Sequence, residues 1–429
     1  MNITQYNKLV RDRIPEIIKS SGKTCKTEIL NDEEYLRMID AKLDEELAEY
    51  HKDQNIEELA DLMEVIYAAA AARGYTVEQL EQVRADKAEK RGGFQKKILL
   101  VEVMEDETMD KLHFQKLTEG AILGFVVGDA LGVPAEFMSR EELAADPVVG
   151  MRSGGAHGQR AGTWSDDSSM TLCAMDSIIE KGIDYVDLMQ RFSSWLWNGL
   201  NTAYNEVFDV GGTTKTAVFR FNKKTPPLEC GEKQDYCCGN GSLMRIIPAA
   251  LYIVGQYGNT DLDDRAAEII HNTSICTHAH PRCQMACGIY CSVIFRLCHG
   301  GELHKSVSDG ICSALDYYKD KPEFTEVYHE FESLREIAAW PGEQICGSGF
   351  VLHTLQASLW CLMTTQNYAE CVLKAVNLGR DADTTAAVAG GIAGLWYGED
   401  AIPKEWTEVT AKYEKIKERC RKFADICTQ

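Results

Sequence analysis

Glycines at positions 120, 124, 128 and 132 recur every fourth residue through a segment that is otherwise strongly apolar. Residues four apart stack one above another on an α-helix, so these glycines draw a single smooth stripe along it. A stripe without side chains lets a neighbouring backbone approach more closely than any Cβ permits. Ala386, Gly390 and Gly394 form a second such stripe after Asp383. Both helices are expected to be central, and each carries acids at one end. Small-residue stripes also occur in membrane helices. Here Asp129 interrupts the apolar run and Pro134 ends it short of the ~20 residues a bilayer requires, so the expectation is a buried helix and no membrane partner.

The rest of the chain reads as helical too. Leu36, Ile39, Leu43 and Leu47 recur at helical spacing, as do Leu59, Leu62, Met63 and Ile66 before the stop at Gly74, with Asp53-Gln54-Asn55 suited to the turn between them. No alternating strand series and no internal repeat is visible. The expected fold class is all-α, with two helical domains over residues 1–103 and 112–429. An acidic linker over 104–111 joins them, drawn from the run Glu102–Asp110 (EVMEDETMD). A net charge of −21 repels phosphate backbones and anionic lipid, which argues against bulk nucleic-acid or membrane binding. The 16 cysteines, together with a polar start at Met1–Lys8, read as reduced thiols of a cytoplasmic protein.

The chemistry sits in three separated segments of the second domain: GDALGVPAE, ending at Glu136; GTWSDDSSM, carrying Ser165, Asp166 and Asp167; and NLGRDADTTAAVAGG, carrying Asp381, Asp383 and Thr384. Asp and Ser at helix starts are N-caps by default. One cap needs one side chain, however, and two acids with a hydroxyl at each of two helix starts exceed that need. Such oxygen sets suit hard divalent cations, enough here for two Mg²⁺ ions.

These segments, with GNGSLMR (Gly239–Arg245) and THAHP (Thr277–Pro281), resemble the ADP-ribosylglycohydrolases, over roughly Lys116–Gly398 and with the motifs in family order. The resemblance implies an all-α fold holding two Mg²⁺ ions on Ser165, Asp166, Asp167, Asp381, Asp383 and Thr384, with Glu136 as general acid/base. It implies a substrate containing ADP-ribose, an ADP-ribosylated protein in the first instance. Gly211, Gly212 and Thr213, with Gly239, Asn240, Gly241 and Ser242, then offer backbone N–H groups to its pyrophosphate. His280 marks a helix entry near the ligand, and Phe350 is either an aromatic contact or a core residue. Arg380 either tunes substrate fit or pairs with Asp381.

The first domain carries two carboxylate pairs at a spacing of three, Glu46 with Glu49 and Glu58 with Asp61, on facing helices. A solvated acidic face and a Mg²⁺ or Mn²⁺ site are both open from spacing alone. The opening YNKLVRDRIPEII, these pairs and the closing KAEKRGGFQKKI resemble the MazG-like and phosphoribosyl-ATP pyrophosphohydrolase-like enzymes over residues 5–100. That resemblance implies metal ligation by Glu46, Glu49, Glu58 and Asp61. It makes Lys87 and Arg91 the phosphate contacts of a bound nucleotide, Lys8 and Arg11 further candidates, and a homo-oligomer the expected assembly. Only eight residues separate Glu49 from Glu58, a shorter connection than is usual in that family.

His278, His280, Cys283 and Cys287 suggest zinc at first sight. Cys283, Cys287 and Cys291 recur every fourth residue, however, and a buried helical stripe explains them better. Three functions compete: a hydrolase that releases ADP-ribose and carries a nucleotide pyrophosphohydrolase-like domain; a nucleotide pyrophosphohydrolase whose second domain only recognises ADP-ribose; and a binding module without turnover.

Overall fold

The computed structural model describes residues 4–97 and 110–428, so most of the expected acidic linker lies outside the described residues. The chain separates into two compact units, Met1–Met104 and Glu105–Gln429. Both are helical, and no strand occurs among the described residues.

The first unit is built from α1 (Ile14–Ser20), α2 (Asp32–Asp53), α3 (Ile56–Ala72) and α4 (Val77–Arg91). Helices α2 and α3 form a hairpin with a minimal turn. Gln54 takes the left-handed conformation that ends α2, and the Asn55 side chain caps α3 by accepting from Glu58 N–H at 2.9 Å. The seam between them buries Ile39, Val65 and Ala69, with Leu43 packed alongside. Leu47, Leu59, Met63 and Ile66, which the spacing places in that seam, are exposed. Two helices bury only the strip where they touch, and this apolar stripe is wider than that strip.

The second unit is organised on α5 (Lys111–Gly132) and α9 (Ala382–Tyr397), numbering between them α6 (Asp166–Lys181), α7 (Gly212–Asn222) and α8 (Pro281–Cys298). The two glycine stripes meet. A Cβ on Gly120, Gly124 or Gly128 would stand 2.2, 2.5 and 2.2 Å from the carbonyl oxygens of Gly394, Gly390 and Ala386. The helices are therefore antiparallel and in backbone contact, as glycine alone allows. Where the carbonyls of this seam need donors, buried tyrosines supply them: Tyr368 Oη donates to Gly124 O at 2.7 Å and Tyr290 Oη to Val388 O at 2.7 Å. At the end of the seam Gly132 lies against the backbone of Asp383. The closest approach thus delivers the C-terminus of α5 to the N-terminus of α9, and the acids with it.

Segment Lys111–Ala135 is long and apolar enough to cross a membrane by length and composition, but its apolar window is wholly buried inside the unit. Cys283, Cys287 and Cys291 are fully buried on α8, and His280 caps that helix by accepting from Arg282 N–H at 3.1 Å. The cysteine stripe is thus core packing. All sixteen cysteines are free thiols.

Candidate active site

The site grows from the junction of α5, α6 and α9. At the start of α6, Trp164 is buried and its indole N–H donates to Ala411 O at 2.9 Å, which anchors the approach to the helix. Ser165 is the N-cap, its Oγ accepting from Asp167 N–H at 3.2 Å, so Asp166 and Asp167 are released from capping. Asp129, projecting from α5, takes over the rest of the cap. Its carboxylate accepts from Ser165 N–H at 2.9 Å, from Ser168 N–H at 3.0 Å and from Ser168 Oγ–H at 2.5 Å. From the α9 side, Asp383 accepts Thr384 N–H at 2.9 Å, and Asp381 accepts the Asn240 amide at 2.7 Å. Asn240 is itself steadied by donating to Thr354 Oγ1 at 2.9 Å.

Two overlapping carboxylate groups result. Asp129, Asp167 and Asp383 present oxygens within 4.8 Å of one another and are all buried; Glu136, Asp381 and Asp383 do the same. A third group joins Glu136 to His157 and Asp209. Glu136 Oε2 and His157 Nε2 share a hydrogen bond of 2.5 Å, and the imidazole is flanked by the rings of Phe137 and Phe208. Burial is the main reason every one of these acids resists ionisation. It pushes Asp129 up to about 6 and, helped by the charges of Asp209 and Asp381, Glu136 up to about 9. Asp166, Asp167 and Asp383 are raised well above the usual carboxylate range by burial and then by the neighbouring acids, Asp209 and Asp381 among them in each case, and Asp209 and Asp381 are raised as well.

Whether these residues suit a cation is decided by what their oxygens lack. Both carboxylate oxygens of Asp167, and Oδ2 of Asp383, are buried without a hydrogen-bond partner. Buried acids left bare in this way are costly unless a positive charge sits among them. The donor set is all oxygen, which suits a hard divalent ion. The residues fit a metal.

Above the acids opens a cleft of about 490 Å³. Of the residues singled out from sequence, Glu136, Asp166, Asp381, Thr384, Gly211, Gly212, Thr213, Gly239, Asn240 and Gly241 line it, while Ser165, Asp167 and Asp383 are buried out of its lining. Gly212 and Thr213 open α7, so the glycine loop is the N-terminus of a helix. Ser242 is turned away into the core, where it accepts from Ser274 Oγ at 2.8 Å; the backbone of the loop, and not this hydroxyl, is what faces a ligand. His280 Nε2 lies 2.9 Å from the Asp235 carboxylate, and Phe350 is half-buried against the core; neither lines the cleft. Arg380 lines it and forms no ion pair with Asp381.

Three residues of the site escape sequence reasoning as chemical groups, and a fourth, His278, is visible only as part of the THAHP motif and the apparent zinc set. Asp129 reads only as a charge breaking an apolar run, His157 sits in a glycine-rich loop with no metal-ligand spacing, and Asp209 reads only as the first residue of the loop that offers backbone N–H groups to a pyrophosphate, its carboxylate given no role. His278 lines the cleft as a neutral imidazole, pushed down to about 3 by burial, and is held through Nδ1 by Thr277 Oγ1 at 2.8 Å. Thr277 is held in turn by the buried Arg245 at 2.7 Å.

In the first unit, Glu46, Glu58 and Asp61 bring ligand oxygens within 4.8 Å of one another. Glu49 is exposed and outside that group, though its charge helps desolvation raise the Glu58 carboxyl. Glu46 is buried, with Oε1 on Lys42 at 2.6 Å and Oε2 without a partner. Arg11 pairs with Asp61, and Lys8 pairs with Glu45 at 2.6 Å. Lys87 and Arg91 are exposed on α4.

The arrangement of the second unit matches a known pattern. The sequence profile described as ADP-ribosylglycohydrolase matches residues 110–429. The chain belongs to the ADP-ribosylglycohydrolase family. It is 31% identical over 293 residues to the ADP-ribosyl-[dinitrogen reductase] glycohydrolase of Rhodospirillum rubrum, covering 67% of this chain and 87% of that one. It is 28% identical over 323 residues to the ADP-ribosylarginine hydrolase Tri1 of Serratia proteamaculans, covering 73% of this chain and 79% of the relative. A solved structure, the ADP-ribosylglycohydrolase-related protein complex, superposes with a TM-score of 0.60 at 26% identity, over 74% of this chain and 99% of that one. The ADP-ribosylglycohydrolase unit is thus a hydrolase by family, and its buried acids supply candidate metal ligands.

Proposed function

We propose that the second unit releases ADP-ribose from a modified side chain, arginine first among the acceptors, with Mg²⁺ held by Ser165, Asp166, Asp167, Asp381, Asp383 and Thr384. The observation that carries this reading is the bare, buried Asp167 carboxylate, grouped with Asp129 and Asp383 beside a cleft that Glu136, Asp166 and Asp381 line. Arginine is favoured by the likeness to a relative named as an ADP-ribosylarginine hydrolase.

A bound divalent ion supplies Lewis-acid polarisation and the charge against which these carboxylates are stable. The protein does the rest. Glu136 and His157 hold a proton between Oε2 and Nε2 at the edge of the cleft, where it can pass to or from the reacting group. The carboxylates of Asp166 and Asp381 line the same space and stabilise positive charge developing at the anomeric carbon. Backbone N–H groups at the start of α7 and in the Gly239–Gly241 loop receive the pyrophosphate. The test is release of free ADP-ribose from an ADP-ribosyl-arginine protein, with Mg²⁺ or with EDTA. We expect Mg²⁺-dependent release that falls by on the order of 100-fold or more in Asp383→Ala, since even outer partners of metal ligands cost about 10–100-fold. Equal release in EDTA would remove the metal from the proposal.

The first unit we read as a MazG-like nucleotide pyrophosphohydrolase domain, with Mg²⁺ or Mn²⁺ on Glu46, Glu58 and Asp61 and with Glu49 beside them. Its supports are the grouping of those three acids and the partnerless Glu46 Oε2. Lys87 and Arg91 are the proposed contacts for nucleotide phosphates. Exposed Leu47, Leu59, Met63 and Ile66 favour association through this unit, and the sixteen free thiols suit the reducing cytoplasm. Replacing Glu58 and Asp61 by Ala should abolish nucleoside triphosphate pyrophosphohydrolysis and spare ADP-ribose release; parallel loss of both activities would refute two separate sites.

A further inference from the structure

We infer that Arg380 is the side chain that takes the negative charge of the substrate's pyrophosphate, and that its backbone is held under strain for this purpose. The inference rests on the reading of the cleft as an ADP-ribose site.

The first observation is electrostatic. The cleft is lined by the carboxylates of Glu136, Asp166, Asp209 and Asp381, and Arg380 is the one permanent cation among its lining residues. The proposed Mg²⁺ ions are engaged by the acids that hold them, so Arg380 is the cationic side chain that the lining itself offers to a doubly anionic ligand. The Gly211–Thr213 and Gly239–Gly241 segments offer only neutral N–H groups. Arg380 is exposed and forms no ion pair among the described residues; its one side-chain hydrogen bond is a weak one, from Nη1 to Cys346 Sγ at 3.7 Å. Its guanidinium donors are therefore available, and a guanidinium is the side chain best shaped to grip phosphate oxygens.

The second observation is conformational. Arg380 has φ +63°, in the left-handed region that favours glycine. Such a residue costs about 1–3 kcal/mol and persists only where its surroundings over-determine it. They do. Arg380 N–H donates to Met138 O at 2.6 Å, and Arg380 O accepts Phe137 N–H at 2.6 Å. Phe137 is itself left-handed, with φ +67°. Arg380 thus clamps the Phe137–Met138 backbone, joining the segment that carries Glu136 to the segment that carries Asp381, with Phe137 and Arg380 both lining the cleft. Glycine would satisfy the same clamp without strain, because both bonds are made by backbone atoms. Packing gives the arginine side chain no role at this position, whereas binding an anion gives it one.

The experiment is calorimetric titration of ADP-ribose, and separately of adenosine, into the full-length protein and into Arg380→Gly, in Mg²⁺, with melting temperatures recorded for both. We expect Arg380→Gly to melt at the same temperature or higher, since the strain is relieved, and to bind ADP-ribose about 10- to 100-fold more weakly, the usual worth of hydrogen bonds to a charged group. Adenosine should bind both proteins alike. In turnover the loss should appear as a raised KM with kcat little changed. Equal ADP-ribose affinity in the two proteins overturns the role of Arg380 and leaves the ADP-ribose reading standing. No ADP-ribose binding by the wild type overturns both. Weakening that is equal for adenosine and ADP-ribose shows a general distortion of the cleft and also overturns it.

Discussion

Asp167→Asn should melt at a higher temperature than the wild type in EDTA, and at a lower temperature than the wild type in saturating Mg²⁺. Asp167 is buried with both oxygens unpartnered, and burial together with Asp129, Asp166 and Asp381 raises its carboxyl well above the usual range. A carboxyl whose folded pKa is raised takes up a proton on folding. The stability it contributes is complete below the unfolded pKa and is lost as pH rises through the folded one. Each group in that interval costs about 1.4 kcal/mol per pH unit. Without metal, the protein should therefore lose stability steadily from the ordinary carboxylate range upward. Asp129 completes its share near about 6 and Glu136 near about 9. The amide of Asn carries no such cost, so the gap between variant and wild type should close at pH 4 and widen toward pH 8. With metal the sign reverses, because a ligand at 100 times its Kd adds about 2.7 kcal/mol and Asn gives up a charged ligand. Thermal melts across pH, with and without Mg²⁺, decide the matter. Coincident curves for the two proteins in EDTA would show that Asp167 bears no such burden.

The other large effect is steric. Gly128→Val should leave the second unit unfolded or molten. A Cβ there would meet Ala386 O at 2.2 Å and Ala386 C at 2.8 Å, both backbone atoms of a helix that cannot step aside. Overpacking a core by ordinary amounts costs about 1–3 kcal/mol, and this collision is with main-chain atoms of the central helix pair, which cannot be relieved by a change of rotamer. A contrasting variant isolates the cause. Gly182 has φ +67° but only the far end of Tyr252, at 3.8 Å, beyond its Cβ direction. Gly182→Ala should thus cost about 1–3 kcal/mol, from backbone strain alone, and leave a folded unit. Near-ultraviolet circular dichroism and cooperative melting separate the two variants; a cooperative, native-like Gly128→Val would mean that the helices are free to separate.

Legibility in the sequence followed the range of the interaction. The glycine stripes declared themselves because their four-residue period is local, and the helices they predict meet through those very residues. Ser165, Asp166, Asp167, Asp381 and Asp383 stood out because two helix starts carried more oxygen than caps require. Asp129, His157 and Asp209 gave no such sign. Each comes from a different element, and what makes each part of the site is the company it keeps after folding. In the first unit the period again gave the helices, but it did not give the face. Ile39, Val65 and Ala69 are buried and Leu47 and Met63 are not, a choice made by the crossing of α2 and α3.

The seam of α5 and α9 has a consequence for anyone wishing to redirect this enzyme. Its spacing is set by main-chain atoms, so no choice of side chain can widen the acidic floor by a fraction of an ångström without parting the helices. The rim is built differently, from loop residues such as Phe137, Asp209 and Arg380, whose side chains can be exchanged one at a time. Directed evolution toward a new leaving group should accordingly collect its useful changes in those loops, and changes recovered in the striped helices should be repairs of stability.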